Sequence, residues 1–74
     1  MTYDEMAILN FLRSIPNDYV ARREIARKAL KRTVFDENPH WADAPLAGLV
    51  EQGLVEQDES GHYRFKQSSV RSQT

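Results

Sequence analysis

Apolar residues recur at helical spacing in three stretches of the chain and alternate in a fourth. Ile8, Phe11, Leu12 and Ile15 fall at i, i+3, i+4 and i+7, with Leu9 widening the stripe and Asn10, Arg13 and Ser14 outside it. Thr2 followed by Glu5 forms a capping-box pattern, in which the threonine oxygen accepts from a free helix N–H and the glutamate reaches back to the cap. A first helix is therefore predicted from Thr2. Pro16 ends it, because proline disfavours helical geometry in the residue before it. Asn17-Asp18 predicts a turn, and Tyr19-Val20 a short extended piece too brief to stand as an independent strand.

Ile25, Ala26, Ala29 and Leu30 predict a second helix over 21–31 with a narrow buried seam, where the alanines allow close approach. Between Thr33 and His40, Val34 and Phe35 interrupt a polar run and predict a connection whose two apolar residues plug the core. A third helix is predicted over 43–52, with Asp43 as cap and Pro45 in the first turn. Leu46, Leu49 and Val50 form its inward stripe, and Gly53 supplies the left-handed residue that commonly closes a helix. Residues 54–57 and 62–66 flank Asp58-Glu59-Ser60-Gly61 and predict a β-hairpin with Tyr63 and Phe65 on one face. That face must pack on the helices, since an isolated hairpin is marginal in water. Residues 67–74 offer only Val70 for burial and are expected to form a frayed polar tail.

Composition narrows the function classes. With 74 residues, 41% hydrophobic and 28% charged, the chain carries one small core and no separate catalytic domain. The absence of cysteine excludes a disulfide staple, a thiolate ligand and a cysteine nucleophile, and fits a reducing, cytoplasmic setting. The acidic start, Met1-Thr2-Tyr3-Asp4-Glu5, lacks the pattern of a signal peptide, and no apolar run is long enough for a transmembrane helix, so no membrane partner is expected.

The net charge of −1 conceals a segregation that matters more. Arg22, Arg23, Arg27, Lys28, Lys31 and Arg32 cluster on the second helix against only Glu24, whereas Asp36, Glu37, Asp43, Glu51, Glu56, Asp58 and Glu59 follow without a lysine or arginine among them. Lys28, Lys31 and Arg32 suit the negative end of the helix dipole. Arg22 and Arg23 lie in the first turn, where positive charge opposes it, and are the more informative cations.

The succession of three short helices, an extended piece between the first two and a terminal hairpin resembles the winged helix-turn-helix family over 1–66. The resemblance is carried by Ile8-Leu9-Asn10-Phe11-Leu12, by Arg23-Glu24-Ile25-Ala26-Arg27-Lys28-Ala29 and above all by Leu46-Ala47-Gly48-Leu49-Val50-Glu51-Gln52-Gly53-Leu54-Val55, where a leucine-patterned helix breaks at glycine straight into a strand. It implies a mainly α fold, a three-helix bundle plus a β-hairpin wing. It also implies a DNA-binding or transcriptional-regulator role, although such domains serve equally as protein-interaction and dimerisation modules. In DNA-reading members the third helix enters the major groove and the wing touches the backbone. This chain departs at both places: its third helix carries Asp43, Glu51 and Gln52 with no arginine or lysine, and its wing tip is Asp58-Glu59-Ser60-Gly61.

Two readings follow. In the first, Arg22, Arg23, Arg27, Lys28, Lys31, Arg64 and Lys66, with help from Arg13, contact phosphates of double-stranded DNA or another nucleic acid. In the second, the acidic third helix and wing, through Asp43 and Glu51 with Trp41 as an exposed anchor, dock a protein partner or a second copy in a homodimer. The competing reading of Trp41 is a core plug, since so small a domain needs its largest apolar side chain. The basic run could equally be a solvated face that pairs with the acidic half of the same molecule. His40 and His62 lack metal-ligand spacing, and no nucleophile–base pair or glycine-rich phosphate loop is present, so neither catalysis nor a cofactor is expected.

Overall fold

A computed structural model of the chain describes residues 1–66. They form four helices and a small antiparallel sheet: α1 (Tyr3–Arg13), β1 (Val20–Ala21), α2 (Arg22–Lys28), α3 (Arg32–Glu37), α4 (Asp43–Glu51), β2 (Val55–Gln57) and β3 (His62–Phe65). The tail expected over 67–74 lies outside the described residues. None of the helices is long and apolar enough to cross a membrane.

The ends of α1 and α4 follow from local chemistry. At the start of α1 the Thr2 hydroxyl accepts from the Glu5 N–H at 3.1 Å while the Thr2 N–H donates to Glu5 Oε1 at 2.9 Å, completing the capping box. At the end of α4, Gly53 adopts φ +80°, the Leu54 N–H donates to the Leu49 carbonyl and the Gly53 N–H to the Val50 carbonyl, both at 3.0 Å. That double return is a Schellman motif, and it satisfies two carbonyls the helix would otherwise leave free. The chain is thereby redirected straight into β2.

The sheet has the order β1-β3-β2. Val55, Glu56 and Gln57 face Phe65, Arg64 and Tyr63 across the hairpin. The extended piece expected near Tyr19 begins one residue later and is a strand after all, because Val20 and Ala21 pair with Tyr63 and His62 on the free edge of β3. In the hairpin turn the Asp58 carboxylate accepts from the Ser60 N–H at 2.9 Å and the His62 N–H at 2.8 Å, with Gly61 at φ +81°.

Ile8, Leu12, Ile25, Leu46 and Leu49 are wholly buried and bring α1, α2 and α4 onto one core, which Val20 and Val55 extend from the sheet. Tyr63 and Phe65 pack half-buried against it, as the alternation in the hairpin predicts.

Two expectations need correction. The second helix stops at Lys28, not Lys31, and the connection after it contains a helix of its own, α3. Val34 and Phe35 do pack against the core. At this end of α2 the Trp41 indole Nε1–H donates to the Ala26 carbonyl at 2.8 Å, the acceptor that a continuing α2 would offer to Leu30. Lys31 then turns extended, with φ −59° and ψ 146°, and α3 begins. A smaller correction concerns α4: Ala42 occupies the cap position and Asp43 is the first helical residue, so the Asp43 carboxylate is free to face other groups.

Candidate nucleic-acid interface

The cations of α2 divide into two sets. Lys28 Nζ lies 2.5 Å from Glu24 Oε2, one turn back on the same helix face, and Arg22 Nε lies 3.4 Å from Asp43 Oδ1 at the start of α4. Just beyond α2, Arg32 Nε lies 3.5 Å from Asp36 Oδ1 within α3. Arg23 and Arg27 sit one turn apart on the face adjoining that of Glu24 and Lys28, about 100° round the helix, because residues four apart stack along a helix. Both are exposed and neither has an ion-pair partner among the described residues, and the same holds for Lys31. The pairing of the basic run with the acidic half is therefore partial, and it spares the Arg23–Arg27 ridge.

The lysine ammonium, as hydrogen-bond donor and as neighbouring charge, holds the Glu24 carboxyl below its ordinary range; Arg27 adds a smaller pull and desolvation opposes both. Such pairs on exposed side chains are weak, because water and salt screen them and ordering two long side chains costs entropy. Arg22, Lys28 and Arg32 can therefore be drawn onto a polyanion at small cost.

Arg64 belongs to the wing. It stands directly across the ladder from Glu56, with Nη2 3.0 Å from Glu56 Oε2, and its guanidinium lies 4.4 Å from the centroid of the Tyr19 ring. Its pKa is raised chiefly by the Glu56 hydrogen bond. This guanidinium is committed to holding the sheet together. Lys66, just past β3, is exposed and has no ion-pair partner among the described residues, and Arg13 lies 5.9 Å over the Phe65 ring. Neither joins the Arg23–Arg27 ridge in any contact.

The residues suggested for a protein partner also separate. Trp41 is 8% exposed and packs in the core, so its role is to close α2 against the start of α4, not to anchor a partner. Asp43 is half-buried, with its second carboxylate oxygen 3.5 Å from His40 Nδ1. Glu51 lies exposed at the far end of α4, on a face otherwise made of Ala44 and Ala47. Asp58 is occupied within its own turn.

Periodicity passed over the surroundings of Arg22 and Arg23. The two arginines form the divide between two clefts. One, of about 360 Å³, is completed by Phe35, Pro39 and His40 from α3 and the following turn. The other, of about 350 Å³, is completed from the wing by Gln57, Ser60, His62 and Tyr63. The only forewarning in the sequence was Phe35, an aromatic residue in a polar connection.

No protein-family model, no curated protein and no solved structure matches this chain.

Proposed function

We propose that the chain is a winged-helix binding module, without catalytic activity, that holds nucleic acid by its phosphates through the basic flank of α2. The observation that carries the reading is the exposed Arg23–Arg27 ridge, unpaired among the described residues, with Lys31 beyond it, while the remaining cations of α2 are matched to carboxylates of the same molecule. The winged-helix reading draws support from the position of β1 between α1 and α2, the hairpin after α4 and the β1-β3-β2 strand order. The insertion of α3 between α2 and α4 sets this chain apart from a plain helix-turn-helix.

Binding is sequence-independent on this reading. Phosphate contacts position a protein without reading bases, and each arginine–guanine contact that would read them contributes about 1–3 kcal/mol of discrimination. The outer face of α4, with Ala44, Ala47 and Glu51, has no donor for such contacts. Affinity in the range of about 10⁻⁴–10⁻⁶ M, falling steeply with salt, is the expected result.

The test is a titration of labelled protein with single-stranded and duplex oligonucleotides at about 50 mM salt, followed through backbone amide resonances. Shifts centred on Arg23, Arg27 and Lys31 are expected, and their loss in Arg23→Ala with Arg27→Ala. No shift with either form of oligonucleotide retires the reading.

The bare, acid-ended outer face of α4 favours a second reading, in which α4 docks a basic protein surface. Sedimentation of the chain, alone and with a basic partner, separates the two.

A further inference from the structure

We propose that the preferred ligand of this surface is a single-stranded nucleic acid, with one unstacked base seated in the cleft between α2 and α3. This rests on the nucleic-acid reading and specifies its ligand. The cleft is lined by Arg22, Arg23, Phe35, Pro39 and His40 and has a volume of about 360 Å³, at the small end of ligand pockets and fitting one planar ring system more readily than a larger ligand. Phe35 is half-buried against the core and so held in place, whereas the His40 side chain is 73% exposed. An aromatic ring, an imidazole and a proline beside an unpaired arginine are the components of single-strand binding: rings stack on the base while the cation takes the adjoining phosphate.

Arg23 is the phosphate partner. Arg22 borders the same cleft, but Asp43 lies 3.4 Å from it and 3.5 Å from His40, which places a negative charge on that side and turns a phosphate toward Arg23.

The features that would embrace a duplex point the other way. A base in a duplex is stacked and cannot enter a cleft without being flipped out. The outer face of α4 offers no arginine or lysine to a groove, and the wing tip presents Glu59 beside Asp58, both repelling phosphates.

The experiment is fluorescence anisotropy of the intact chain with end-labelled oligothymidine, a duplex of equal length and oligouridine, at one ionic strength. Both single strands are expected to bind more tightly than the duplex. Phe35→Leu keeps apolar bulk but removes the stacking ring, and should weaken oligothymidine about tenfold while leaving duplex affinity unchanged. Should that variant fail to fold, His40→Ala carries the same test with a smaller loss, and ring resonances of Phe35 in the unaltered protein should shift with oligothymidine. Duplex binding as tight as single-strand binding, or tight binding unaffected by both variants, overturns the cleft assignment while sparing the phosphate ridge. Oligouridine bound more tightly than the duplex supports the cleft as oligothymidine does, and the tighter of the two names the sugar. If no oligonucleotide binds, the nucleic-acid reading itself falls.

Discussion

The indole Nε1–H of Trp41 donates to the backbone carbonyl of Ala26 at 2.8 Å, joining the last turn of α2 to the residue that precedes α4 by two positions. This bond caps a short helix by a side chain from far along the chain. α3 lies in the segment that this bond spans, and it supplies Phe35 to the cleft beside Arg23.

Trp41→Phe should therefore destabilise the fold by about 1–3 kcal/mol, the cost of leaving a buried carbonyl without its donor, with some further loss from the smaller ring. Urea denaturation followed by circular dichroism measures it. A loss under about 0.5 kcal/mol would mean that the Ala26 carbonyl finds the Leu30 N–H instead, and that the indole does not end α2.

Gly48 is where α1 and α4 approach through Glu5. A Cβ at Gly48 would lie 2.5 Å from Glu5 Oε2, the oxygen that also accepts from Gln52 Nε2 at 3.4 Å. The Glu5 carboxylate is the end of a flexible chain, so Gly48→Ala displaces it and loosens the capping box while gaining helix propensity of about 1 kcal/mol. Near-neutral stability is expected. In a Glu5→Ala background the same substitution should stabilise by about 1 kcal/mol, since nothing is left to displace. A double-mutant cycle by chemical denaturation reads the difference, and strict additivity would rule out the proposed clash.

Asp43 restrains Arg22 and opposes phosphates at the cleft. Asp43→Asn should strengthen oligonucleotide binding and steepen its salt dependence by about one phosphate contact, roughly 0.7 in log–log slope for a single strand. It should also cost about 0.3–1 kcal/mol of stability, because a negative charge in the first turn of α4 complements the helix dipole. Anisotropy across a salt series, paired with denaturation, checks both. Weaker binding would show that Arg22 needs its carboxylate to be positioned.

Arg64, paired with Glu56 and stacked over Tyr19, should behave as a structural cation. Arg64→Met should lower stability yet leave oligonucleotide affinity within about twofold, whereas Arg23→Ala should do the reverse. An equal loss of affinity in both would extend the interface to the wing.

The Glu24 carboxyl titrates below the ordinary glutamate range because Lys28 donates to it and lies beside it. A depressed folded-state pKa contributes stability that is present above the unfolded value and disappears as pH falls through the folded one. Carboxyl-carbon resonances should show that lowered midpoint, and Lys28→Met should return it toward the ordinary value, with Arg27 retaining a small pull. An unchanged midpoint would mean the pair does not persist in solution.

The amino-acid sequence on its own determined the elements whose ends are made by neighbours. Thr2 and Glu5 start α1, Gly53 closes α4, and Asp58 with Gly61 turns the hairpin; each rests on groups within a few residues, which spacing and residue type reveal. The apolar stripes of α1 and α4 were legible for the same reason. The core-plug reading of Trp41 was open to the sequence, but the end of α2, the presence of α3 and the partner of the Trp41 indole were decided by tertiary structure. The Trp41–Ala26 bond joins residues 15 apart, and α3 contains Thr33 and Val34, whose own propensity argues against a helix. The sorting of the cations was likewise invisible: Arg22 and Arg23 are adjacent in the chain, yet only one of them meets Asp43, because a helix turns consecutive side chains about 100° apart and only the packing of α4 determines which direction is occupied.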